Sequence, residues 1–322
     1  MRQILLSSII CLILPMTVWA TERTSDIYNL LIPSNTTKNG AQLPQVLYAS
    51  DSDGFHTTKV TGGLFPWYDT AYHYAGFTYQ FGHFSQNGWS SDGSQLGLVT
   101  KNIDPKTALG YTVTLGLNHQ EQHNLITTDS QWAFALAPHT RGELLLNRDR
   151  VETQQALMQG TYYTMVGADI EQQFTERVTG ILMAGVQSFS DGNNRPLIKL
   201  RGIYDLMPDY GVTLQLRYRQ YHDTDTAEAT SYFNPDRYRE GMVVLAIRQR
   251  YDGWLMTGTA GIGRQWVNSD PSTETRLLEA AVTTPAVGRV YGQARVGYSR
   301  SAGYQGPDYS YRYASGEMVF PF

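Results

Sequence analysis

The sequence has little of what several protein classes need. One cysteine occurs in 322 residues, and charged residues make up only 17 %, against about 25 % in a typical soluble domain. After residue 20, no apolar run approaches the roughly 20 residues of a membrane-spanning helix. The net charge is −4 with no dense basic run, which argues against a nucleic-acid partner. A helical membrane protein is therefore excluded, and a nucleic-acid-binding protein is disfavoured.

The single cysteine, Cys11, lies in an apolar N-terminal stretch. Arg2 supplies a short positive segment before it, and Val18 and Ala20 place small residues as a signal-peptidase site requires. We interpret residues 1–20 as a secretory signal peptide, with a membrane anchor as the alternative. The chain that remains has no cysteine, which excludes disulfides, a thiolate nucleophile and a Cys-ligated metal.

The remaining chain divides into a short polar entry and a long repetitive region. Residues 21–43 are polar, and we expect a flexible periplasmic N-terminal segment there. Residues 44–322 alternate apolar and polar side chains in segments that end at Gly, Asn, Asp or Pro, which is typical of β-strands with two different faces. The clearest case is 212–219. The pattern predicts an all-β fold of about 16 strands, with about 14 as the lower bound, and a short helix at 153–158.

Three features favour a transmembrane barrel over a soluble β-sandwich. Many predicted strands run to about 10–14 residues, near the length that crosses a bilayer at a tilt. Long charged side chains in mid-strand suit a wide, water-filled interior. Aromatic residues near strand ends fit the girdles that membrane barrels place at both interfaces. The aromatic residues assigned to these girdles are Trp67, Tyr68, Tyr72, Tyr74, Tyr79, Trp254, Trp266, Tyr298, Tyr304, Tyr309, Tyr311 and Tyr313.

Lipid offers no hydrogen-bond partner, so an open sheet edge is not viable and the strands must form a ring. The prediction is a transmembrane antiparallel β-barrel over 44–322, in contact with outer-membrane lipid in a bacterial cell. Both termini are expected on the periplasmic side, with short turns there and longer loops outside. The candidates for long external loops are 84–93, 189–195, 222–236, 268–275 and 301–308.

The end of the chain carries the strongest local signal. Phe322 is terminal, and Phe320 and Met318 precede it at period two. This pattern resembles the terminal signature by which the barrel-assembly machinery recognises outer-membrane proteins, so that machinery is an expected partner. Because Pro321 cannot donate a backbone hydrogen bond, the last one or two residues are expected to fray or to sit at a non-bonding position.

Two motifs occur in order along the second half of the chain. Asp191, Asn193 and Arg195 form a "DGNxR" element, which residues 231–235 follow about 40 residues later as a "YFNP" element. The pair resembles the C-terminal barrels of poly-N-acetylglucosamine and cellulose exporters, over about 175–322. The resemblance implies passive export of a polysaccharide, as in biofilm or capsule material, without a cofactor. It departs from the family because no tetratricopeptide repeat precedes the barrel, so a separate periplasmic scaffold protein is expected.

The motif residues are predicted to shape the extracellular mouth, with a purely structural turn as the alternative. They are Asp191, Asn193, Arg195, Tyr232, Phe233, Asn234 and Pro235.

Arginine is concentrated late in the chain. Residues 195–322 carry 15 basic side chains, of which 14 are Arg, against 13 acidic ones. Five of these arginines lie on the polar faces of predicted strands. If those faces line the lumen, the five would form a cationic stripe on consecutive strands that selects an anionic polymer or sugar. Alternatively, they pair with lumen carboxylates such as Asp169, Glu171, Asp205 and Glu240. The five are Arg217, Arg219, Arg248, Arg250 and Arg295.

Other functions remain open at this point. A general diffusion porin or a surface receptor would use the same barrel. His83 and Ser85 loosely resemble the His-x-Ser-Asn-Gly element of outer-membrane lipid hydrolases, but Gln86 is inserted before Asn87. His119 and His123 are four residues apart, a spacing that binds metal only on a helix. We therefore predict no enzyme activity, no cofactor and no metal site.

Overall fold

The computed structural model describes residues 38–104, 106–225, 231–285, 290–301 and 309–322. The predicted signal peptide lies outside these residues. Sixteen strands follow one another in the chain: Lys38–Asp51 (β1), His56–Thr70 (β2), His73–Gln86 (β3), Trp89–Ile103 (β4), Gly110–Gln120 (β5), His123–Ala137 (β6), Thr140–Arg150 (β7), Tyr162–Gln173 (β8), Val178–Phe189 (β9), Asn194–Met207 (β10), Val212–Tyr221 (β11), Tyr238–Tyr251 (β12), Trp254–Val267 (β13), Thr273–Thr283 (β14), Tyr291–Arg300 (β15) and Ser310–Pro321 (β16).

The strands form one closed antiparallel barrel. Each strand pairs with its neighbours in sequence, and β1 pairs with β16 to complete the ring. The closing register runs from Gly40 opposite Pro321 to Asp51 opposite Tyr311. The predicted fold class and the predicted strand number of about 16 are both confirmed. The first strand begins at Lys38, so it includes residues that the sequence assigned to the flexible entry segment.

The two faces of the barrel have opposite chemistry. On β11, Leu216 on the outer face is 62 % exposed, while Gln215 beside it is 3 % exposed. The same alternation places Ile126 and Ile262 on the outside at 68 % exposure each. A soluble domain would bury these side chains, whereas a bilayer accepts them as a lipid-facing band. Between the two ends of the barrel, the positions that alternate with these apolar side chains point into the lumen.

The two ends of the barrel differ in the length of their connections. The terminal end holds both chain ends and short turns such as 71–72, 138–139 and 252–253. The opposite end, called the distal end here, carries the two longest connections, 151–161 and 222–237. This asymmetry matches the short periplasmic turns and long external loops of outer-membrane barrels. Exposed outward-facing aromatic residues ring the terminal end: Trp67, Tyr111, Trp132, Tyr204, Tyr210, Tyr251 and Trp254.

Some predicted loops and girdle residues differ from the structure. Within the segment 84–93, only residues 87–88 form a turn between β3 and β4, because both strands extend further than their apolar residues indicate. Loop 301–308 and Tyr304 lie largely or wholly outside the described residues. Of the predicted girdle residues, Tyr68, Tyr74, Tyr309, Tyr311 and Tyr313 do not face lipid; they lie on inward-facing or buried positions.

The one α-helix described, α1, spans Gln154–Gln159 in the connection between β7 and β8. The side chain of Thr153 caps its start, and Gly160 ends it in the left-handed conformation at φ 71°. The short helix predicted at 153–158 is therefore present. Among the described residues, no helix has the length and apolar character needed to cross a membrane.

The assignment of inner and outer faces can be checked by one pair of adjacent substitutions. Leu115 lies on the outer face of β5, and Thr114 points inward opposite Asp129. We expect Leu115→Arg to destabilise the barrel by about 2–4 kcal/mol, because the charge meets lipid near mid-strand. Thr114→Arg meets water and a carboxylate and should be nearly neutral. Urea titration of folding into bilayers, read by heat-modifiable gel mobility, measures both. Equal effects would contradict the assignment of faces.

Candidate functional site: the lumen and its distal mouth

The lumen wall from β10 to β12 carries most of the inward-facing cations. Lys199 and Arg201 on β10 lie opposite Arg219 and Arg217 on β11. Their strand neighbours Leu200 and Leu216 are exposed on the outer face, so the cations point inward. From the sequence, all four are mid-strand charges that suit a water-filled interior, but only Arg217 and Arg219 were assigned to the cationic stripe. The register between β10 and β11, which no local pattern encodes, brings the four together.

The five predicted lumen arginines do not form one stripe on consecutive strands. Arg248 and Arg250 face inward on β12, but at the terminal end, where the backbone N–H of Arg248 donates to Gly211 O at 3.0 Å. Arg295 faces inward on β15, opposite Ser315. Because β13 and β14 separate β12 from β15, the expectation of a continuous stripe is wrong. Only Arg217 and Arg219 share a strand near the middle of the wall.

Carboxylates line a separate part of the wall, on β6 to β8. Asp129, Glu143 and Asp169 face inward there, and Asp169 lies directly opposite Glu143. Arg141 joins this part of the wall through an ion pair with Glu171 at 3.1 Å. The lumen is therefore divided lengthwise into an acidic arc and, beyond β9, a basic arc.

The alternative of charge pairing with lumen carboxylates holds for some arginines. Arg219 forms an ion pair with Glu240, as that alternative requires. Arg217 instead donates to the amide oxygen of Gln215 from Nε at 3.1 Å and from Nη2 at 2.8 Å. Glu171 pairs with Arg141 rather than with any of the five arginines. On β11, Arg219 thus contacts a carboxylate, whereas Arg217 donates to a neutral amide oxygen.

Tyrosine side chains line the wall on the other side of the lumen. Tyr311 and Tyr313 on β16, Tyr291 on β15 and Tyr74 on β3 are half-buried at inward-facing positions. The hydroxyl of Tyr313 donates to Glu279 at 3.0 Å. We call these four side chains the tyrosine wall. Their rings and hydroxyls offer flat apolar faces beside hydrogen-bonding groups, which suits a sugar chain.

The two predicted mouth motifs meet at the distal end. Asn193, between β9 and β10, donates from Nδ2 to Asp223 at 2.9 Å and to the Tyr232 hydroxyl at 3.2 Å. Tyr232 in turn donates to Asp191 at 3.0 Å. The Oδ1 atom of Asn193 accepts from the backbone N–H groups of Thr224 and Asp225. Asn193 thereby fastens the β11–β12 connection to the β9–β10 turn.

Arg195 is the centre of this contact. Its guanidinium donates from Nε and Nη2 to the two oxygens of Asp223 at 2.9 and 3.1 Å, and also to Phe233 O. The rings of Tyr221 and Phe189 flank it at 4.7 and 5.0 Å. Burial raises the pKa of the Asp223 carboxyl, while Arg195 and Asn193 act in the opposite direction. We call Asn193, Arg195, Asp223 and Tyr232 the distal clamp.

The remaining motif residues support the clamp. Phe233 packs in one buried cluster with Tyr232, Tyr163 and Phe189. Asn234 donates from Nδ2 to Asp225 O at 3.0 Å, and Pro235 O accepts from the N–H of Asp223 at 3.2 Å. Both motifs lie at the distal mouth, and most of their side chains are engaged within the protein.

A second connection folds inward across the lumen. The β7–β8 connection leaves β7, and its Glu152 forms an ion pair with Lys59 on β2. Leu157 of α1 is 1 % exposed and packs against Phe55, which directly precedes β2, and Phe84 near the distal end of β3. The connection therefore spans from β7 to the β2–β3 wall. We call it the inward loop, residues 151–161.

The two long connections also contact each other. The hydroxyl of Thr153 in the inward loop donates to Ser231 O at 2.6 Å. Val151 and Ala156 share a buried cluster with Tyr232. Sequence reasoning identified the helix in the inward loop but not its position, because Lys59 and Glu152 are 93 residues apart in the chain.

The hydrolase-like residues lie on the outer face, away from the lumen. His83 Nδ1 contacts Asp92 Oδ1 at 2.6 Å on the neighbouring strand. Ser85 lies opposite His56 and Ser90 and takes no part in that contact. His119 and His123 lie on β5 and β6 on either side of the two-residue hairpin turn 121–122, and not on a helix. Within the described residues, no three His, Cys, Asp or Glu side chains are grouped as a metal site would require.

The C-terminal strand pairs to its end. Phe320 lies opposite Ala41, and the N–H of Phe322 donates to Asn39 O at 2.7 Å. Of the two expected alternatives, fraying is therefore wrong, because the β1 partner strand starts earlier than predicted, whereas Pro321, which has no N–H, occupies a position where it donates no hydrogen bond. Pro321 lies opposite Gly40 and is the last residue of β16.

Comparison with known proteins finds solved structures that are similar to this barrel. No protein-family model matches the sequence, and no curated protein matches it. A bacterial polysaccharide outer membrane secretin is similar in structure, with a TM-score of 0.66 and 14 % identity over 90 % of this chain and 100 % of that chain. Two weaker matches are CdiB from Acinetobacter baumannii, with TM-score 0.46, 9 % identity and coverage of 89 % and 60 %, and an anion-selective porin from Comamonas acidovorans, with TM-score 0.41, 8 % identity and coverage of 89 % and 99 %.

At these identities the likeness concerns the fold. The two motifs suggested a resemblance to polysaccharide-export barrels. In agreement, the solved barrel of a polysaccharide outer membrane secretin aligns with this chain over that barrel's whole length. The chain therefore has the fold of a polysaccharide-secretin barrel, with 16 antiparallel strands closed around a polar lumen.

Proposed function

We propose that this protein is a bacterial outer-membrane channel that guides an exported polysaccharide passively through its lumen. The observation that carries the proposal is the fold, which aligns with the whole chain of a polysaccharide outer membrane secretin at TM-score 0.66. The apolar outer face supplies the contact with outer-membrane lipid. The C-terminal strand ending at Phe322 is the segment that the barrel-assembly machinery would recognise.

The lumen supports the proposal chemically. Sugar chains carry hydroxyl groups that exchange hydrogen bonds with water for hydrogen bonds to a wall, and flat C–H faces that stack on aromatic rings. The tyrosine wall offers rings, and the arcs of carboxylates and guanidinium groups offer hydrogen-bond partners along the whole path. No bond is made or broken in such passage, so the driving force lies outside the channel.

The test is a blocking experiment on single channels. The purified protein is reconstituted into planar bilayers, and soluble sugar oligomers are added to one side. We expect open channels whose current is interrupted by the oligomers at low concentration. Polyethylene glycol of equal hydrodynamic size is the matched control, and it should interrupt the current far less.

Two results would count against the proposal. Equal interruption by both polymers would favour a general diffusion porin, because such a pore distinguishes solutes by size alone. Absence of any current in correctly folded protein would contradict a channel of either kind.

A further inference from the structure

Four inward-facing cations form two like-charged pairs on neighbouring strands. The β10–β11 register sets Lys199 opposite Arg219 and Arg201 opposite Arg217. Directly opposite residues of an antiparallel pair have Cβ atoms about 4.5–5.5 Å apart, and like charges in that position are destabilising. We call Lys199, Arg201, Arg217 and Arg219 the basic quartet. Such an arrangement needs a compensating negative charge.

Nearby carboxylates act on two members of the quartet, because Glu279 and Glu240 both interact electrostatically with Arg217. Arg219 is paired with Glu240. Arg201 and Arg217 both donate from Nε to the same neutral oxygen, Gln215 Oε1, at 3.1 Å each. Two guanidinium groups therefore converge on one uncharged acceptor.

Arg201 keeps one hydrogen-bond donor that the protein does not satisfy. Its Nη2 atom is buried and has no hydrogen-bond partner. Glu171 interacts electrostatically with Arg201, but its carboxylate forms an ion pair with Arg141 at 3.1 Å. A buried donor without an acceptor costs about 1–3 kcal/mol, so an added acceptor at this point would be favourable.

We infer that the basic quartet is a binding station for the oxyanion groups, carboxylate or sulfate, of an acidic polysaccharide in transit. The inference deepens the proposed function and rests on it. Planar guanidinium forks match the two oxygens of a carboxylate, and charge-assisted hydrogen bonds are stronger than neutral ones. Asp169 and Glu171 lie on the acidic arc across β9 and would keep the polymer's charged groups on the quartet's side.

The station is tested with a uronic-acid oligomer and a neutral glucose oligomer of matched length. Their blocking of the current is measured in the full-length protein and in the double variant Arg201→Gln, Arg217→Gln. We expect the wild type to bind the acidic oligomer more tightly, and the double variant to lose about a hundredfold of that affinity. Blocking by the neutral oligomer should be unchanged.

Two further variants serve as controls for the effects of charge and of arginine removal elsewhere. Arg217→Lys keeps the charge but loses the planar fork, so we expect an intermediate loss. Arg264→Gln removes an exposed arginine from the outer face of β13 and should leave both oligomers unaffected. Heat-modifiable mobility verifies that every variant is folded.

The outcomes separate this inference from the proposed function. If wild type and double variant bind the acidic oligomer equally, the station is overturned while the channel stands. If acetate or sulfate at equal charge concentration competes as well as the oligomer, the site serves free anions and the polymer assignment is overturned. If neither oligomer blocks the current, the proposed function itself fails.

Discussion

Replacing Arg195 with alanine is expected to release the β11–β12 connection from the distal mouth. The variant leaves the Asp223 carboxylate buried without its cation, and breaking a buried ion pair in this way costs about 3–5 kcal/mol. The flanking rings of Tyr221 and Phe189 lose their partner as well. We expect protease to cleave the connection in the folded variant at concentrations that leave the wild type intact.

The effect should depend on pH in a defined direction. Burial raises the pKa of the Asp223 carboxyl even with Arg195 present. In the variant we expect a higher pKa still, because the opposing effect of Arg195 is lost. A carboxyl with a raised pKa in the docked state binds its proton more readily there than when released. Docking in the variant is therefore retained at acidic pH and lost as the pH rises.

A matched control exists in the same connection. Arg237 is exposed, and the hydrogen bond to Asn268 comes from its backbone N–H, not from its guanidinium. Arg237→Ala removes equal charge and should leave the cleavage pattern unchanged. If both variants resist protease like the wild type, the distal clamp does not hold the connection.

Replacing Leu157 with alanine is expected to open the lumen at its distal end. Leu157 is 1 % exposed and anchors the inward loop to Phe55 and Phe84. A buried Leu→Ala change costs about 3 kcal/mol, which lowers the ratio of docked to undocked loop about a hundredfold. The ion pair between Lys59 and Glu152 is then the main contact that remains with β2.

Single-channel recording measures this effect directly. We expect the Leu157→Ala channel to show larger conductance and more frequent switching between levels than the wild type. Met158 lies next to Leu157 on α1 but is 56 % exposed, so Met158→Ala tests for any effect of shortening a side chain on this helix. Equal traces for all three proteins would mean that the inward loop does not restrict the pore.

Both experiments concern contacts that the sequence could indicate only in part. The motif around Asn193 and the motif around Tyr232 were visible as separate elements, and their joint role at the mouth was predicted. Asp223, which joins them, was not predicted at the mouth, because an acidic pair such as Asp223 and Asp225 in a long polar connection resembles any solvated turn. The bidentate contact with Arg195 spans 28 residues of chain.

The residues of the lumen were likewise predicted only in part from the sequence. Alternation at period two predicted that Arg217 and Arg219 face away from Leu214 and Leu216, and the structure places them so. Three members of the tyrosine wall, Tyr74, Tyr311 and Tyr313, were wrongly assigned to the lipid interface, because a Tyr near a strand end suits either a lipid interface or a wet lumen. Its orientation depends on which apolar neighbours fill the outer face.

The sequence by itself determined the barrel, because alternating strands long enough to cross a bilayer have no stable arrangement other than a closed ring. Only the tertiary structure decided which charges stand opposite each other, where the long connections dock, and which side chains line the path. Those outcomes depend on strand register and on contacts between residues far apart in the chain, and a repeating local pattern carries no information about either.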